Sequence, residues 1–463
     1  MIIMKFGGTS VEDARAMENV IQIVSKEQTR QPVVVLSAIA GATNSLLKSS
    51  AIALDGSLDA AHAELNALLE RHVTLLENLI ENRSEVQQLI LVIRKRFDEL
   101  KTLCQGIAIL GELTNRSLDA LASVGEQLST LILSRAMAER GFKVDLVDAR
   151  SFIITNDQFA SAVPNLELIN QKARDILLPS LQAGNIVITQ GFVGSTVKGI
   201  TTTLGRGGSD YSAAIIGAAI GAEEIQIWTD VDGVLTADPR IAPSAKKLKV
   251  ISFREASELA YFGAKVLHPS TILPAVEKNI PVIVLNSKRP QSTGTRIVGD
   301  PPKSNAAVKS IASKQGITVI NIQSSRMLMA YGFLSSIFSV FQRHKTAVDL
   351  VSTSEVAVSL TIDNSANLEE IEKELREFAD VSIYTHKAIV CVVGEQMRAK
   401  VGVVDRVFRA LNDINVIMIS QGASEINMSL VVDGDSVTQA VQQLHKEFFE
   451  PVPELDLFEQ VDA

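Results

Sequence analysis

Hydrophobic residues occur in short runs along the first part of the chain. These runs lie at 1–6, 33–37, 144–147, 186–188, 225–228 and 282–285. Apolar runs bounded by polar, glycine-containing turns are typical of strands buried on both faces of a parallel sheet. From about 57 to 140 the apolar positions recur with helical spacing instead. Strands alternating with helices predict a layered α/β domain with a mostly parallel sheet.

A polar segment interrupts this pattern. Residues 286–310 read NSKRPQSTGTRIVGDPPKSNAAVKS, which is rich in proline, glycine, serine and lysine. Pro301 and Pro302 stop any helix or strand there. We therefore predict an α/β domain at 1–290 and a linker at 291–308.

Beyond the linker the sequence repeats itself. Residues 332–360 align without a gap with residues 402–430, at an offset of 70. The matches include Gly332/Gly402, Phe338/Phe408, Ser354/Ser424, Glu355/Glu425, Ser359/Ser429 and Leu360/Leu430. Each copy predicts strand, helix, strand, turn and strand, a small α+β module near the lower end of domain sizes. We place the two modules at 309–385 and 386–463.

Composition and charge narrow the class of protein. Hydrophobic residues make up 46% of the 463 residues and charged residues 21%, which is typical of globular proteins. The net charge of −9 argues against a general nucleic-acid binder. Cys104 and Cys391 fit neither a disulfide framework nor a metal-ligand spacing, so we predict buried thiols. With no recognisable signal peptide or long apolar span, a cytoplasmic protein is expected.

Two glycine-rich turns are candidate anion sites. Lys5 precedes Gly7 and Gly8, and a lysine beside such a turn can neutralise a phosphate. Taken alone, this motif fits an ordinary strand-end lysine better, and no P-loop pattern is present. The second turn, 205–210, reads GRGGSD before a helix of small residues. Helix capping would explain Ser209 and Asp210 but not Arg206, so binding of an anion is favoured there.

Three further motifs are ambiguous by themselves. Thr229 and Asp230 follow an apolar strand, where open α/β sheets bind ligands, although Asp-Gly turns are common. Lys265 lies between small residues and is either a phosphate ligand or a surface lysine. His268, a lone histidine before a proline, is more often structural. Glu126 alone is typical of an ordinary turn glutamate.

Together the motifs resemble the aspartokinase family of the amino acid kinase superfamily. They are KFGGTS (5–10), SAIAGATN (37–44), GE (125–126), GRGGSDYSAA (205–214), WTDVDG (228–233) and ELAYFGAKVLHP (258–269). The resemblance implies a three-layer αβα fold that transfers the γ-phosphoryl group of Mg-ATP to the side chain of L-aspartate. ATP and Mg²⁺ are the expected cofactors, without a dedicated protein metal site.

The resemblance also implies roles for residues. Lys5, Arg206 and Asp210 correspond to catalytic positions. The aspartate site corresponds to Ser37, Thr43, Glu126, Arg206 and Ser209. The nucleotide site corresponds to Lys5, Gly7, Gly8, Thr229, Asp230, Arg240, Lys265 and Val266. Leu235 stands where many relatives carry a tyrosine near the adenosine.

The two repeat copies resemble ACT domains, βαββαβ modules that bind amino acids and usually pair between subunits. In the family, one such domain receives a strand from before the other, which here would come from near 309–322. In lysine-inhibited relatives the effector residues correspond to Met327, Ala330, Phe333, Leu334, Ala347, Val348, Asp349, Ser354 and Glu355. Asp349 is matched by Ile419 in the second copy, so only the first copy is equipped for a cationic effector.

Some alternatives stay open at this point. Ala330 and Ala347 stand where some lysine-sensitive relatives have serines, so threonine rivals lysine as the effector. A catalytically weak amino-acid sensor with a kinase-like body is the other class of function. N-acetylglutamate or glutamate kinases are distant alternatives that lack this set of motifs. We expect a monofunctional enzyme, because the chain ends at Ala463 soon after the second copy, and a homodimer through the ACT domains that could extend to a tetramer.

Overall fold

A computed structural model describes residues 1–263, 269–302, 306–324, 331–395, 397–422, 424–450 and 457–460. The chain divides into two compact units. The N-terminal unit comprises Met1–Gly233 and Val266–Pro301, and the C-terminal unit comprises Val234–Lys265 and Pro302–Ala463. The domain limits inferred from the sequence stay a prediction.

The elements below are numbered in chain order. The strands are β1 (Ile2–Phe6), β2 (Pro32–Leu36), β3 (Val144–Leu146), β4 (Ile154–Thr155), β5 (Ile186–Gln190), β6 (Val193–Thr196), β7 (Thr201–Thr203), β8 (Glu224–Thr229), β9 (Lys246–Leu248), β10 (Val250–Ser252), β11 (Val282–Asn286), β12 (Thr295–Val298), β13 (Ser310–Gln323), β14 (Val351–Thr353), β15 (Ala357–Ile362), β16 (Asp380–Val393), β17 (Val416–Gln421), β18 (Asn427–Asp433) and β19 (Phe458–Gln460). The α-helices are α1 (Ala14–Lys26), α2 (Ala42–Leu54), α3 (Leu58–Leu79), α4 (Arg83–Leu110), α5 (Asn115–Ala122), α6 (Val124–Glu139), α7 (Leu166–Gln182), α8 (Gly208–Ile220), α9 (Phe253–Tyr261), α10 (Leu273–Glu277), α11 (Phe333–Arg343), α12 (Leu368–Arg376), α13 (Val403–Ala410) and α14 (Val437–Phe449).

The N-terminal unit is built on one mostly parallel sheet. Its strands follow the order β12-β11-β8-β1-β2-β5-β3, and β12 is antiparallel to β11. The central strand β1 pairs in parallel with β2 and β8, and all five of its residues are buried. Burial on both faces explains why these strands are continuous apolar runs rather than alternating ones. The predicted strands and the mostly parallel sheet are confirmed.

Long helices account for the predicted helical region. Helices α3 and α4 pack on each other and on α2, and their buried leucines and isoleucines join the core of the N-terminal unit. Cys104 lies within this core, and Cys391 is buried in the C-terminal unit. Both cysteines are free thiols, as predicted. No helix in the described ranges is long and apolar enough to cross a membrane.

The C-terminal unit contains a sheet that both repeat copies share, in the order β14-β15-β13-β16-β18-β17. Two 14-residue strands, β13 and β16, run through its centre. The first half of β13, Ser310–Gln315, pairs with Ala388–Val393 of the second copy, and the second half pairs with β15 of the first. Each copy is therefore completed by part of a strand that also serves the other.

The copies have equivalent backbones. Gly332 and Gly402, matched at the repeat offset, both adopt φ of 86° at the N-caps of α11 and α13. Each copy also contains a second helix, α12 or α14, which the predicted pattern of strand, helix, strand, turn and strand lacks. The first copy thus has the order βαββαβ of an ACT domain, and in the second the missing strand is supplied by Ser310–Gln315 of β13.

Residues 234–265 contribute helix α9 to the C-terminal unit. Ser252 and Glu255 form a capping box at its start. The Glu255 carboxylate also pairs with Lys309 at 2.9 Å, and these side chains are only 2% and 1% exposed. Removing one partner of a buried ion pair leaves an uncompensated charge, which is strongly destabilising.

We therefore expect Lys309→Met to lower the free energy of unfolding by about 3–5 kcal/mol. Urea unfolding followed by circular dichroism measures the change, with Lys373→Met on the exposed face of α12 as the control. A loss no larger than that of the control would show that the buried pair contributes little.

Candidate active site

A cleft of about 520 Å³ lies at one edge of the parallel sheet in the N-terminal unit. It is lined by Lys5, Gly8, residues 37–41, Thr43, Asn44, Glu126, Phe192 and residues 205–210. Among these are all of the predicted catalytic and aspartate-site residues, although they are separated by up to 205 positions in the sequence. Parallel strands bring their carboxyl ends to the same edge, so the turns that follow β1 and β2 meet here.

A buried ion pair crosses the floor of the cleft. Lys5 lies near the end of β1, and its Nζ is 2.6 Å from Oδ1 of Asp210 in the first turn of α8. The two side chains are 11% and 17% exposed, so water screens the pair only in part. The pair orients the ammonium group towards the cleft, where it can neutralise a phosphate.

The glycine turn before α8 forms the facing wall. Gly207 is the N-cap of the helix with φ of 72°, a left-handed conformation that favours glycine. The helix begins at Gly208, so Ser209 lies inside its first turn and is not the N-cap residue. The first N–H groups of α8 and the Arg206 side chain therefore both border the cleft. In the described part of the chain, Arg206 forms no ion pair.

Glu126 approaches the cleft from α6. The preceding Gly125 makes this possible, because a Cβ there would lie 2.7 Å from that of Ala38. The Glu126 side chain is buried, and burial raises the pKa of its carboxyl to about 8. Hydrogen bonds from the backbone N–H groups of Ala38 and Glu126 oppose this shift without cancelling it. Oε2 has no hydrogen-bond partner among the described residues.

Asp119 binds the segment just before the glycine turn of the cleft, and it was not identified from the sequence. Its buried carboxylate accepts hydrogen bonds from the N–H of Ala160 and from both the N–H and the hydroxyl of Thr203. Thr203 ends β7, two residues before the turn that carries Arg206. Asp119 also lies seven positions before Glu126, on the buried face of α5. An acidic residue on an otherwise apolar helix face was the available signal.

The predicted nucleotide residues are more scattered. Gly8 lines the cleft, whereas Gly7 donates its N–H to the carbonyl of Trp228 at 3.0 Å. Thr229 and Asp230 follow β8, and the Thr229 hydroxyl donates to Asp230 at 3.3 Å. Neither residue lines the cleft.

Other predicted nucleotide residues belong to the C-terminal unit or are not described. Arg240 is in the C-terminal unit, where it pairs with Asp238 at 2.6 Å. The carbonyl of Leu235 accepts a hydrogen bond from Ser310. Lys265, Val266 and His268 lie outside the described residues.

The predicted effector residues of the first copy lie around the start of α11, the segment before β14 and the turn after it. Phe333 and Leu334 begin α11, and Leu334 is exposed. Ala347 and Val348 precede Asp349, and Ser354 and Glu355 form the exposed turn before β15. Met327 and Ala330 lie outside the described residues.

Asp349 is a charged member of this group whose side chain is buried, whereas Glu355 is exposed. The Asp349 side chain is 3% exposed, and its Oδ1 lies 2.9 Å from Nζ of Lys314. Ile419, at the equivalent position of the second copy, is an exposed apolar residue of β17. The carboxylate is therefore a feature of the first copy alone.

The described ranges contain no group of three or more histidine, cysteine, aspartate or glutamate side chains arranged to hold an ion. Asp210 and Glu126 are the acidic side chains that line the cleft.

Comparison with known proteins places the chain in a family. Residues 1–286 match the model of the amino acid kinase family, and residues 390–448 match an ACT domain model. Aspartokinase 3, chloroplastic, of Arabidopsis thaliana is 40% identical over 97% of this chain and 81% of its own length. Lysine-sensitive aspartokinase 3 of Escherichia coli is 38% identical over 97% of this chain and 99% of its own. The crystal structure of E. coli aspartokinase III with aspartate and ADP superposes with a TM-score of 0.83 at 37% identity, covering 97% and 100% of the two chains.

The buried Glu126 carboxyl has a consequence for stability. Its pKa is about 8 in the folded protein and about 4.5 when unfolded, so the folded state binds the proton more tightly between these values. Stability should therefore fall as pH rises from about 4.5 to about 8, by at most about 1.4 kcal/mol per pH unit from this group. We expect Glu126→Gln to gain stability relative to the wild type over that window.

Thermal unfolding at pH 5, 7 and 9 tests this expectation. Glu112→Gln, at an exposed position, is the matched control. A difference between Glu126→Gln and wild type that does not change with pH would mean that Glu126 is ionised in the folded protein at all three values.

Proposed function

The chain belongs to the aspartokinases of the amino acid kinase family, and we propose that it transfers the γ-phosphoryl group of ATP to the side-chain carboxylate of L-aspartate, yielding 4-phospho-L-aspartate. The observation that carries this proposal is the convergence of the Lys5–Asp210 pair, Arg206 and Glu126 on one cleft. ATP and aspartate together require a cation for the phosphate, a cation for the α-carboxylate and an acid for the α-ammonium.

The nucleophile in this reaction needs no general base. The side-chain carboxylate of aspartate has a pKa near 3.9 and is already an anion at neutral pH. The barrier comes instead from aligning two negatively charged groups, the aspartate carboxylate and the γ-phosphate, for in-line transfer. Lys5 and the N–H groups at the start of α8 would neutralise the transferred phosphoryl group. Asp210 would keep the Lys5 ammonium in place.

Magnesium would accompany the nucleotide. Mg²⁺ is usually held by one or two carboxylates together with water and substrate phosphates, so a full set of protein ligands is not required. Asp210 is the carboxylate beside Lys5 in the cleft and fits this limited role. When bound, the ion would offset the negative charge of the phosphates.

Aspartate recognition would rest on Arg206 and Glu126. The guanidinium can hold the α-carboxylate with two parallel hydrogen bonds. Glu126 would pair with the α-ammonium through Oε2, the oxygen without a partner among the described residues. Arrival of that cation would stabilise the carboxylate and release the proton that burial retains. Ser37, Thr43 and Ser209 would supply the remaining polar contacts.

The nucleotide would contact residues beyond this cleft. We assign this role to Thr229, Asp230, Arg240, Lys265, Val266 and Gly7, on the support of the resemblance of the motifs. Lys5 and Gly8, which line the cleft, would contact the phosphates, so that the γ-phosphoryl group meets the aspartate carboxylate there.

Regulation by an end-product amino acid is the second part of the proposal. Lysine is the favoured effector, supported by the name of the lysine-sensitive relative, and threonine is the alternative. The first ACT copy would bind it, because only that copy has the Asp349 carboxylate. We further propose a cytoplasmic homodimer formed through the ACT domains.

The direct test is an assay that traps the acyl phosphate as a hydroxamate, run with ATP and aspartate. Lysine, threonine and methionine are added separately. Product that depends on both substrates supports the enzyme. Absence of product, with amino-acid binding retained, would favour the alternative of a sensor with a kinase-like body.

For the substrate site, we expect Arg206→Ala to raise the KM for aspartate more than about tenfold and to lower kcat. The loss of a charge-assisted bond, about 1.5–3 kcal/mol, accounts for this scale. The KM for ATP should stay within about twofold of wild type. Arg83→Ala, at an exposed position on α4, is the control, and unchanged aspartate kinetics in Arg206→Ala would refute the assignment.

For the effector site, we expect Asp349→Asn to raise the lysine concentration for half inhibition more than about tenfold, because the charge that pairs with an ammonium is lost. Ile419→Ala, at the equivalent place in the second copy, should leave inhibition intact. Inhibition that survives in Asp349→Asn would show that the effector binds at another place.

A further inference from the structure

The hydroxyl of Tyr261 contacts the effector aspartate of the first copy. Tyr261 is the last residue of α9, and its hydroxyl donates to Oδ1 of Asp349 at 3.0 Å. The same oxygen accepts from Lys314, whose ammonium also pairs with Asp363 at 2.7 Å. Oδ2 of Asp349 is buried and has no hydrogen-bond partner among the described residues. One oxygen of this carboxylate is thus engaged, and the other can accept a donor.

The end of α9 is packed closely on β13 at this place. Nζ of Lys314 lies 5.2 Å from the centre of the Tyr261 ring, within the range of a cation–π interaction. Two residues later, Gly263 has φ of 114°, and a Cβ there would lie 2.4 Å from the carbonyl oxygen of Ser313. The backbone after Tyr261 therefore follows the strand that carries Lys314.

Tyr261 is close in sequence to Lys265, a residue of the predicted nucleotide site. Lys265 follows Gly263 by two positions and Tyr261 by four. Lys265 itself lies outside the described residues, and three residues separate it from Tyr261 in the chain.

Building on the proposed regulation, we infer that Tyr261 transmits occupancy of Asp349 to the segment that leads to Lys265. Without effector, the hydroxyl bond holds the end of α9 on the first copy. An effector ammonium bound at Oδ2 draws negative charge from the shared carboxylate and weakens its bond to the phenol. Lys314 retains its ion pair with Asp363, so the interaction that weakens is the hydrogen bond from Tyr261.

The chemistry of the phenol suits this role. Burial, followed by the negative charge of Asp349, raises the pKa of Tyr261 to about 12. Tyr261 therefore remains a neutral donor at physiological pH, and the contact responds to ligand rather than to pH.

The test is Tyr261→Phe, which removes one oxygen and keeps the ring. Tyr384→Phe, on the half-exposed part of β16, is the matched control. Without added amino acid, both variants should retain kcat and both KM values within about twofold of wild type. In Tyr261→Phe the bond that opposes the effector is absent, so the lysine concentration for half inhibition should fall about fivefold or more, the scale of one lost hydrogen bond. Calorimetry should still detect lysine binding with unchanged stoichiometry, and Tyr384→Phe should be inhibited like wild type.

Three results would overturn the inference in different ways. A wild-type inhibition curve in Tyr261→Phe would exclude transmission through the hydroxyl. Loss of lysine binding in that variant would make Tyr261 part of the binding site instead. Wild-type enzyme that is active but insensitive to lysine, threonine and methionine would refute the proposed regulation, and this inference with it. If threonine inhibits instead, the same comparison is made with threonine.

Discussion

The parallel register of β1 between β2 and β8 is the constraint on which the candidate site depends. Lys5 lies beside Val35 on one side and Ile227 on the other, so the turns after these strands all leave the sheet at the same edge. This arrangement needs strands buried on both faces and therefore almost wholly apolar. A charged side chain near this edge, such as Lys5, then requires a partner, which α8 provides in Asp210.

Charge in this site is managed in two ways. Lys5 has a partner within the protein, because its Nζ lies 2.6 Å from the Asp210 carboxylate. Glu126 has no cationic partner among the described residues, and burial raises its pKa to about 8. Because the Glu126 carboxyl lacks a cationic partner, the site favours a ligand that carries a positive charge. The ammonium of an amino acid would satisfy Glu126, whereas a simple dicarboxylate would not.

The C-terminal unit depends on a different constraint, the sharing of β13 and β16 by both copies. Each long strand pairs in both halves of one sheet, so neither copy forms its part of the sheet without the other. The copies keep the same fold, but the Asp349 carboxylate makes the first chemically distinct.

Much of this organisation was predictable from the sequence. The apolar runs specified the strands of the parallel sheet, and the offset of 70 revealed the duplicated module. These features are local or periodic, so they can be recognised without knowledge of the fold. The ordered motifs also identified most residues that line the cleft, because glycine turns and strand-end charges serve that purpose wherever such sheets occur.

The tertiary structure alone decided which of these groups are buried and what they contact. The raised pKa of Glu126 depends on its burial, and the support from Asp119 depends on Thr203, 84 positions away. The bond between Tyr261 and Asp349, 88 positions apart, was likewise absent from the predictions. Burial and long-range pairing arise only when distant segments pack together, so the sequence determined the types of chemical group and the fold determined their environment.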